Sequence, residues 1–175
     1  MNSLSKILLI LFVPVWFLFA ACLEKVEFPI EPAIQFNGFA KIIDSTGIDN
    51  RGVLEIYYQD GDGDIGLTER DTLPPYDYNF YVRYFEKING QFQEVFITFY
   101  NSETEQYDTI NMNARIPLLT PTGKNKAIKG IIQDTLYINN YTSSNDTIRF
   151  EVYIVDRALH ESNHVTTPDI WIKKQ

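Results

Sequence analysis

The strongest constraint on the fold is an alternation of apolar and polar side chains in the last third of the chain. Between residues 147 and 155, Ile148, Phe150, Val152 and Ile154 are separated by Arg, Glu and Tyr. Successive side chains of a β-strand point to opposite faces, so this pattern predicts a strand with one buried face. A helix would instead place apolar residues about every 3.6 positions.

Further segments show the same alternation or are rich in aromatic and β-branched residues. They cover residues 35–43, 53–59, 78–87, 91–100, 127–138 and 165–172. Asn89-Gly90 separates two of them, and Asn-Gly is a strong signal for the tight turn of a β-hairpin. Segment 111–119 is another possible strand, although Pro117 favours an edge or a loop.

These strands predict an all-β domain over residues 34–175. Short strands with one solvent-exposed face, separated by frequent turns, favour an antiparallel immunoglobulin-like β-sandwich. A lipocalin-like barrel is the alternative, but it would require more evenly spaced strands and a larger apolar interior. The chain is 45% hydrophobic and 22% charged, which is the composition of a globular domain.

The N-terminus predicts export and lipid anchoring. Residues 1–21 carry Lys6, then an apolar run interrupted by Pro14, then two alanines. The run is shorter than the about 20 residues of a transmembrane helix and is typical of a signal peptide. The single Cys of the chain, Cys22, follows directly in the position of a lipobox cysteine. We expect acyl chains such as palmitate on Cys22 and a lipidated tether over residues 22–33, a secreted protein with a free Cys being the alternative.

Charge and residue content exclude several functional classes. The net charge is −8, with 15 basic and 23 acidic residues, and this balance opposes nucleic-acid binding. The string His160-Glu161-Ser162-Asn163-His164 matches a zinc-protease motif, but that chemistry needs a helix and the string lies between predicted strands. We therefore predict a protein that is not an enzyme and requires no cofactor for catalysis.

One acidic segment predicts a cation site. Asp60, Asp62 and Asp64 alternate with glycine, and carboxylates at this spacing can surround a Ca²⁺ ion. In an immunoglobulin-like sandwich the loop after residue 59 and the loop after residue 155 lie at the same end. Asp156, and with it Asn163, is therefore predicted to approach the acidic segment. The alternative is a solvated acidic turn without an ion.

The tyrosines form a second candidate surface. Tyrosine rings on a sheet face can stack on sugars or on protein partners, although β-sheets favour tyrosine in any case. The candidate residues for such a binding surface are Tyr57, Tyr76, Tyr78, Tyr81, Tyr84, Tyr100 and Tyr107.

Recurrent Asp-Ser and Asp-Thr pairs resemble the O-glycosylation signal of Bacteroidetes periplasmic and surface proteins. An Asp turn that leads into a strand would produce the same pairs. The candidate glycan acceptors are Ser45, Thr72, Thr109, Thr135 and Thr147.

Several longer segments resemble small uncharacterised lipoproteins of Bacteroidetes with an immunoglobulin-like domain. Beside the lipobox at Cys22, the segments are YYQDGDGDIGL (57–67), RIPLLTPTGKNKAIKG (115–130) and FEVYIVDRALHESN (150–163). The resemblance implies a lipid-anchored outer-membrane protein, on the periplasmic or the surface face. It implies an accessory or interaction module with envelope proteins as partners, or alternatively a glycan-binding module of a nutrient-capture system.

Overall fold

The computed structural model describes residues 28–43, 45–121, 123–124 and 126–174. The described residues contain β-strands and no helix, which confirms the all-β prediction. The strands are β1 (Ala33–Ile42), β2 (Arg51–Asp60), β3 (Phe80–Ile88), β4 (Gln91–Glu94), β5 (Thr98–Asn101), β6 (Gln106–Thr109), β7 (Ile128–Tyr137), β8 (Thr147–Ile154), β9 (Val165–Thr166) and β10 (Ile170–Trp171).

Two antiparallel sheets make up the body of the domain. The first has the order β1-β2-β7, and the second has the order β10-β8-β3-β4, with β9 also pairing with β8. The hairpin between β3 and β4 turns at Asn89 and Gly90, whose φ angles are 52° and 83°. Both angles are positive, as the predicted Asn-Gly turn requires. Strands β5 and β6 form a separate small hairpin.

The buried faces of the two sheets share one hydrophobic core. Leu54 and Ile56 of β2 and Phe150 of β8 are fully buried in it. The Phe39 and Phe150 rings stack across the sheets with their centroids 6.0 Å apart. Each such side chain contributes about 1.5–3 kcal/mol on burial. Two sheets packed on a common core are the arrangement expected of a β-sandwich.

Some predicted strands differ from the observed ones. The predicted strand 91–100 divides into β4 and β5, and the predicted strand 165–172 divides into β9 and β10 around Pro168, which has no N–H to donate. Segment 111–119 is not a strand: it forms only isolated bridges, Ala114 with Phe80 and Pro117 with Leu67. Strand β6 was not predicted.

The start of the domain lies beside the end of β2. Ala33 of β1 pairs with Gln59, so the chain enters the sheet next to the end of β2 at Asp60. The Gly61 N–H donates to the Pro29 carbonyl over 2.8 Å, and Pro32 is buried. The described part of the predicted tether, from residue 28, therefore lies against the domain rather than free of it.

Candidate metal centre

The acidic segment turns sharply because its glycines allow it. Gly63 has a φ of +67°, and a Cβ on Gly63 would lie 1.9 Å from the Lys126 carbonyl oxygen. A Cβ on Gly61 would lie 2.3 Å from the Phe28 carbonyl oxygen. Only glycine fits at either place, so two neighbouring segments of the chain close directly over this loop.

Asp60 ends β2 with its carboxylate inside the protein. The residue is 0% exposed, and its Oδ2 accepts hydrogen bonds from the N–H groups of Asp64 (2.9 Å) and Ile65 (3.3 Å). Its second oxygen, Oδ1, is buried and has no hydrogen-bond partner. Oδ1 of Asp64 is likewise buried without a partner. A buried carboxylate oxygen without a partner is costly unless a proton or a cation compensates it.

The three carboxylates of the segment converge. One oxygen from each of Asp60, Asp62 and Asp64 lies within 4.8 Å of the others. Oxygens that share a Ca²⁺ ion lie at most about twice the Ca–O distance of 2.3–2.6 Å apart, so this spacing suits Ca²⁺. Asp62 is exposed, and the group is therefore open to solvent on one side.

The electrostatics of the cluster disfavour its charged form when no cation is bound. Burial raises the pKa of Asp60 to about 6, and the negative charge of Asp62 adds to this increase. Burial also raises the pKa of Asp64, with contributions from the charges of Asp156 and Asp62, while Arg157 opposes them. A divalent cation would relieve both the desolvation and the mutual repulsion.

The predicted fourth carboxylate, Asp156, is close to the cluster but is already engaged. Its charge acts on Asp64, and the Arg157 N–H donates to the Asp64 carbonyl over 3.4 Å. The predicted approach of the two loops therefore agrees with the structure. However, Oδ1 of Asp156 accepts the His160 N–H over 2.8 Å, and Oδ2 lies 2.9 Å from Nδ1 of His160. Asp156 thus stabilises the loop that follows β8 through its contacts with His160. Its role as an ion ligand stays a prediction.

The side chain of Asn163 is engaged by the backbone of β1. Its Oδ1 accepts the Ile34 N–H and its Nδ2 donates to the Ile34 carbonyl, both over 2.9 Å. Both polar atoms of the Asn163 side chain are used in this contact with the backbone of β1. Ile34 pairs with Tyr58, two residues before Asp60, so Asn163 lies at the same end of the domain as the acidic segment, and its role as an ion ligand stays a prediction.

Arg157 ties the loops together around the cluster, a role that the sequence did not predict. Its guanidinium donates to the Gly66 carbonyl over 2.9 Å and to the Thr120 hydroxyl over 2.6 Å. Its position directly after Asp156 was the only signal in the sequence, because its partners are distant in the chain.

The zinc-protease-like string has no metal geometry. Residues 160–164 form no helix. Nδ1 of His160 contacts Asp156, and this contact raises the pKa of the imidazole. Nε2 of His164 lies 2.8 Å from Glu161. The two histidines serve different ion pairs, as expected for loop residues.

The tyrosines fall into distinct environments. Tyr84 is 3% exposed and belongs to the core. Tyr100 and Tyr107 are exposed and contact each other edge to face on the β5–β6 hairpin, with their centroids 5.4 Å apart. Tyr81 stacks on Tyr153 with a centroid distance of 4.8 Å and an interplanar angle of 7°. Tyr76 is half-buried, and its hydroxyl donates to the Arg157 carbonyl.

The candidate glycan acceptors lie mainly at the surface. Ser45, Thr72, Thr109 and Thr135 are exposed. Thr147 is half-buried, and its hydroxyl donates to Asp146 over 2.9 Å. Their modification stays a prediction.

The signal peptide and Cys22 lie outside the described residues, and their roles also stay predictions. Within the part of the chain that the structure describes, no helix has the length and apolar character needed to cross a membrane.

Comparisons with protein-family models, with curated proteins and with solved structures found no match to this chain.

Proposed function

We propose that this protein is a non-enzymatic, lipid-anchored domain of the cell envelope that binds Ca²⁺ through Asp60, Asp62 and Asp64. One observation carries the cation site: two buried carboxylate oxygens without hydrogen-bond partners lie in a cluster of three carboxylates. The ion would act structurally, because it would join the end of β2 to the loop that follows it.

The strand order supports an immunoglobulin-like fold for this domain. Its orders β1-β2-β7 and β10-β8-β3-β4 correspond to the A-B-E and G-F-C-C′ orders of immunoglobulin-like sandwiches. Such domains present loops at the two ends of the sandwich, and these loops commonly carry binding functions. This placement suits an accessory or interaction module.

Ca²⁺ fits the cluster better than Mg²⁺. Mg²⁺ requires oxygens at about 2.0–2.1 Å in near-ideal octahedral geometry, and it gives up water reluctantly. Ca²⁺ accepts six to eight oxygens in a flexible shell, which suits three carboxylates fixed by the turn and within 4.8 Å of one another. No catalytic role is assigned to His160 or His164, because residues 160–164 form no helix and the two imidazoles contact different carboxylates, Asp156 and Glu161.

Thermal unfolding with and without Ca²⁺ tests the cation site. With a Kd of about 10⁻⁴ M, about 10 mM Ca²⁺ would stabilise the folded state by about 2.7 kcal/mol. For a domain of this size, Tm would then rise by about 5–10 °C, and Mg²⁺ would raise it less.

Asp62→Asn provides the site variant, because Asp62 is exposed and its loss removes one ligand without a folding defect. Glu69→Gln is the control, since it removes one exposed negative charge from the same loop. We expect Ca²⁺ to stabilise the control but not Asp62→Asn. Equal melting curves of the unsubstituted protein in Ca²⁺ and in a chelator would overturn the cation site and support the alternative, a solvated acidic turn without an ion.

Cys22→Ser tests the anchor separately. Acylation of Cys22 predicts that the protein partitions into membranes and that mass spectrometry finds an acylated N-terminal cysteine. The variant should become soluble. Membrane retention equal to that of the unsubstituted protein would overturn the anchor and leave the cation site unaffected.

A further inference from the structure

A groove with a volume of about 330 Å³ runs along one edge of β3, away from the acidic cluster. Strand β4 pairs with β3 only over residues 85–88, and Ala114 bridges to Phe80 at the other end. The Val95 N–H, just after β4, donates to the Tyr84 carbonyl over 3.0 Å, and among the described residues no strand covers the edge between Phe80 and Tyr84. The Val82 N–H there donates to the side-chain Oδ1 of Asn113 over 3.0 Å.

The floor of this groove contains a fixed aromatic ring. Tyr81 stacks on Tyr153, and Tyr153 stacks on His164 with a centroid distance of 4.5 Å and an interplanar angle of 4°. This stack crosses from β3 to β8 and on to His164 just before β9, and both Tyr81 and Tyr153 line the groove. Tyr153 covers one face of the Tyr81 ring, which leaves the other face for a ligand in the groove. The Tyr81 hydroxyl also donates to the Tyr78 carbonyl over 3.2 Å, which holds the ring in place.

Planar polar side chains line the walls. Arg83 donates to both oxygens of Glu94, over 3.0 and 2.6 Å, and to Glu151 over 2.6 Å. Asn111 and Asn113 also line the groove. The carbonyl oxygens of these two amides accept backbone N–H groups, which fixes their orientation and leaves their amide groups as donors.

The charge of the groove disfavours an anionic ligand. The single cation, Arg83, is paired with two carboxylates, and the whole chain carries a net charge of −8. The edge left open on β3 is also too short for an added peptide strand, because contacts close it at both ends and Asn113 already takes the Val82 N–H.

We propose that this groove binds a neutral carbohydrate, with one pyranose ring packed on the open face of Tyr81. The apolar C–H face of a pyranose matches a rigid aromatic ring. Its hydroxyls match the amides of Asn111 and Asn113 and the Arg83–Glu94 pair. The volume is at the lower end of the range for small-ligand sites, which suits a short stretch of sugar chain. This site goes beyond the proposed function and shares no residue with the cation site.

Affinity electrophoresis of the full-length protein tests the proposal. The gels contain neutral polysaccharides of gluco, manno, galacto and xylo configuration: soluble starch, β-glucan, galactomannan and xylan. We expect at least one of them to retard the protein, in Ca²⁺ and in chelator alike, because the groove does not include the acidic cluster.

Variants at position 81 localise the binding. Tyr81→Ala removes the ring and should lower the apparent affinity at least tenfold, whereas Tyr81→Phe keeps the ring and should retain binding. Tyr107→Ala is the control, since Tyr107 is an exposed tyrosine outside the groove. Thermal unfolding of each variant verifies that it is folded. Absence of retardation on every polysaccharide would overturn the proposal, as would retardation of folded Tyr81→Ala equal to that of the unsubstituted protein.

Discussion

Two fully buried carboxylates at one end of the sandwich have opposite effects on stability. Both oxygens of Asp156 interact with His160, whereas one oxygen of Asp60 has no partner and the residue belongs to a cluster of three carboxylates. We expect Asp156→Ala to lower the free energy of unfolding by about 1.5–3 kcal/mol, with or without Ca²⁺, because charge-assisted hydrogen bonds are lost. Urea unfolding measures this change. A variant that unfolds like the unsubstituted protein would contradict the structural role of Asp156.

Asp60→Asn should instead stabilise the domain in the absence of Ca²⁺. An amide can accept the two backbone N–H groups through its oxygen while its Nδ2 faces Asp62 and Asp64, so repulsion becomes attraction. The pKa increase of Asp60 from 3.8 to about 6 corresponds to about 3 kcal/mol at neutral pH, which is the upper limit of the gain. The variant should lose its stabilisation by Ca²⁺. Stability below that of the unsubstituted protein in chelator would contradict the assignment.

The same pKa predicts how stability depends on pH. Because the pKa of Asp60 is higher in the folded state than in the unfolded state, folding favours its protonated form. Its contribution is fully present below about pH 4 and is lost as the pH rises through about 6. In chelator, stability attributable to Asp60 should therefore fall between these values, and Asp60→Asn should remove that fall. Ca²⁺ binds the deprotonated form, so its effect on Tm should grow over the same interval.

At the scale of secondary-structure elements, the loop after β2 depends on backbone conformation as much as on side chains. Gly63→Ala would place a Cβ 1.9 Å from the Lys126 carbonyl oxygen at a positive φ, and such strain costs about 1–3 kcal/mol or more. Gly123→Ala is the matched control, since its Cβ would meet nothing within 4 Å. We expect a lower Tm for Gly63→Ala alone. Equal Tm values for the two variants would contradict the close packing of this loop.

A single arginine holds the rest of that loop. Arg115 donates to the carbonyls of Thr68 (2.8 Å), Asp77 (3.0 Å) and Tyr76 (3.2 Å), and also to that of Asp71. Lysine cannot match this planar set of donors, so Arg115→Lys should speed amide exchange across residues 67–79. Arg70→Lys is the control, because Arg70 is an exposed arginine of the same loop. Similar exchange rates in both variants would contradict the role of Arg115.

The elements that could be predicted are those whose signal is local. Alternation identified β2, β3 and β8, because each has one face in the core and one outside it. Strand β6 has four mainly exposed residues, so it carries no alternation to detect. Segment 111–119 is apolar enough to resemble a strand, but Asn113 satisfies the edge of β3 with its side chain instead.

The candidate site was predictable in part for the same reason. The carboxylates of the acidic segment are adjacent in sequence, and fold topology was enough to bring Asp156 near them. The pairing of Asp156 with His160 and of Asn163 with Ile34 depends on side-chain directions in a loop, which no periodicity encodes. The Tyr81 groove depends on the short length of β4, and this length was overestimated from the sequence.

At the scale of the whole molecule, the cation site lies where the chain enters the domain. The Gly61 N–H donates to the Pro29 carbonyl, and the Asn163 side chain accepts the Ile34 N–H. Both loops at this end of the domain therefore bind the segment that leads into β1. Extended chain from Cys22 to residue 28 reaches at most about 20 Å, so the lipid anchor that we propose at Cys22 would keep this end of the domain near the membrane.

Ca²⁺ binding should therefore fasten residues 28–34 to the domain. An ion that fixes Asp60 and Asp62 also fixes Gly61 between them, and with it the hydrogen bond to Pro29. In detergent-extracted full-length protein, we expect amide exchange of residues 28–34 to slow in Ca²⁺ by more than exchange in β8 does. Asp62→Asn should remove this dependence. Asn163→Ala should speed exchange in both conditions, because Asn163 grips Ile34 independently of the ion. Suppose that Ca²⁺ raises Tm but leaves the exchange of residues 28–34 unchanged. That result would contradict this prediction and restrict the effect of the ion to the loop after β2.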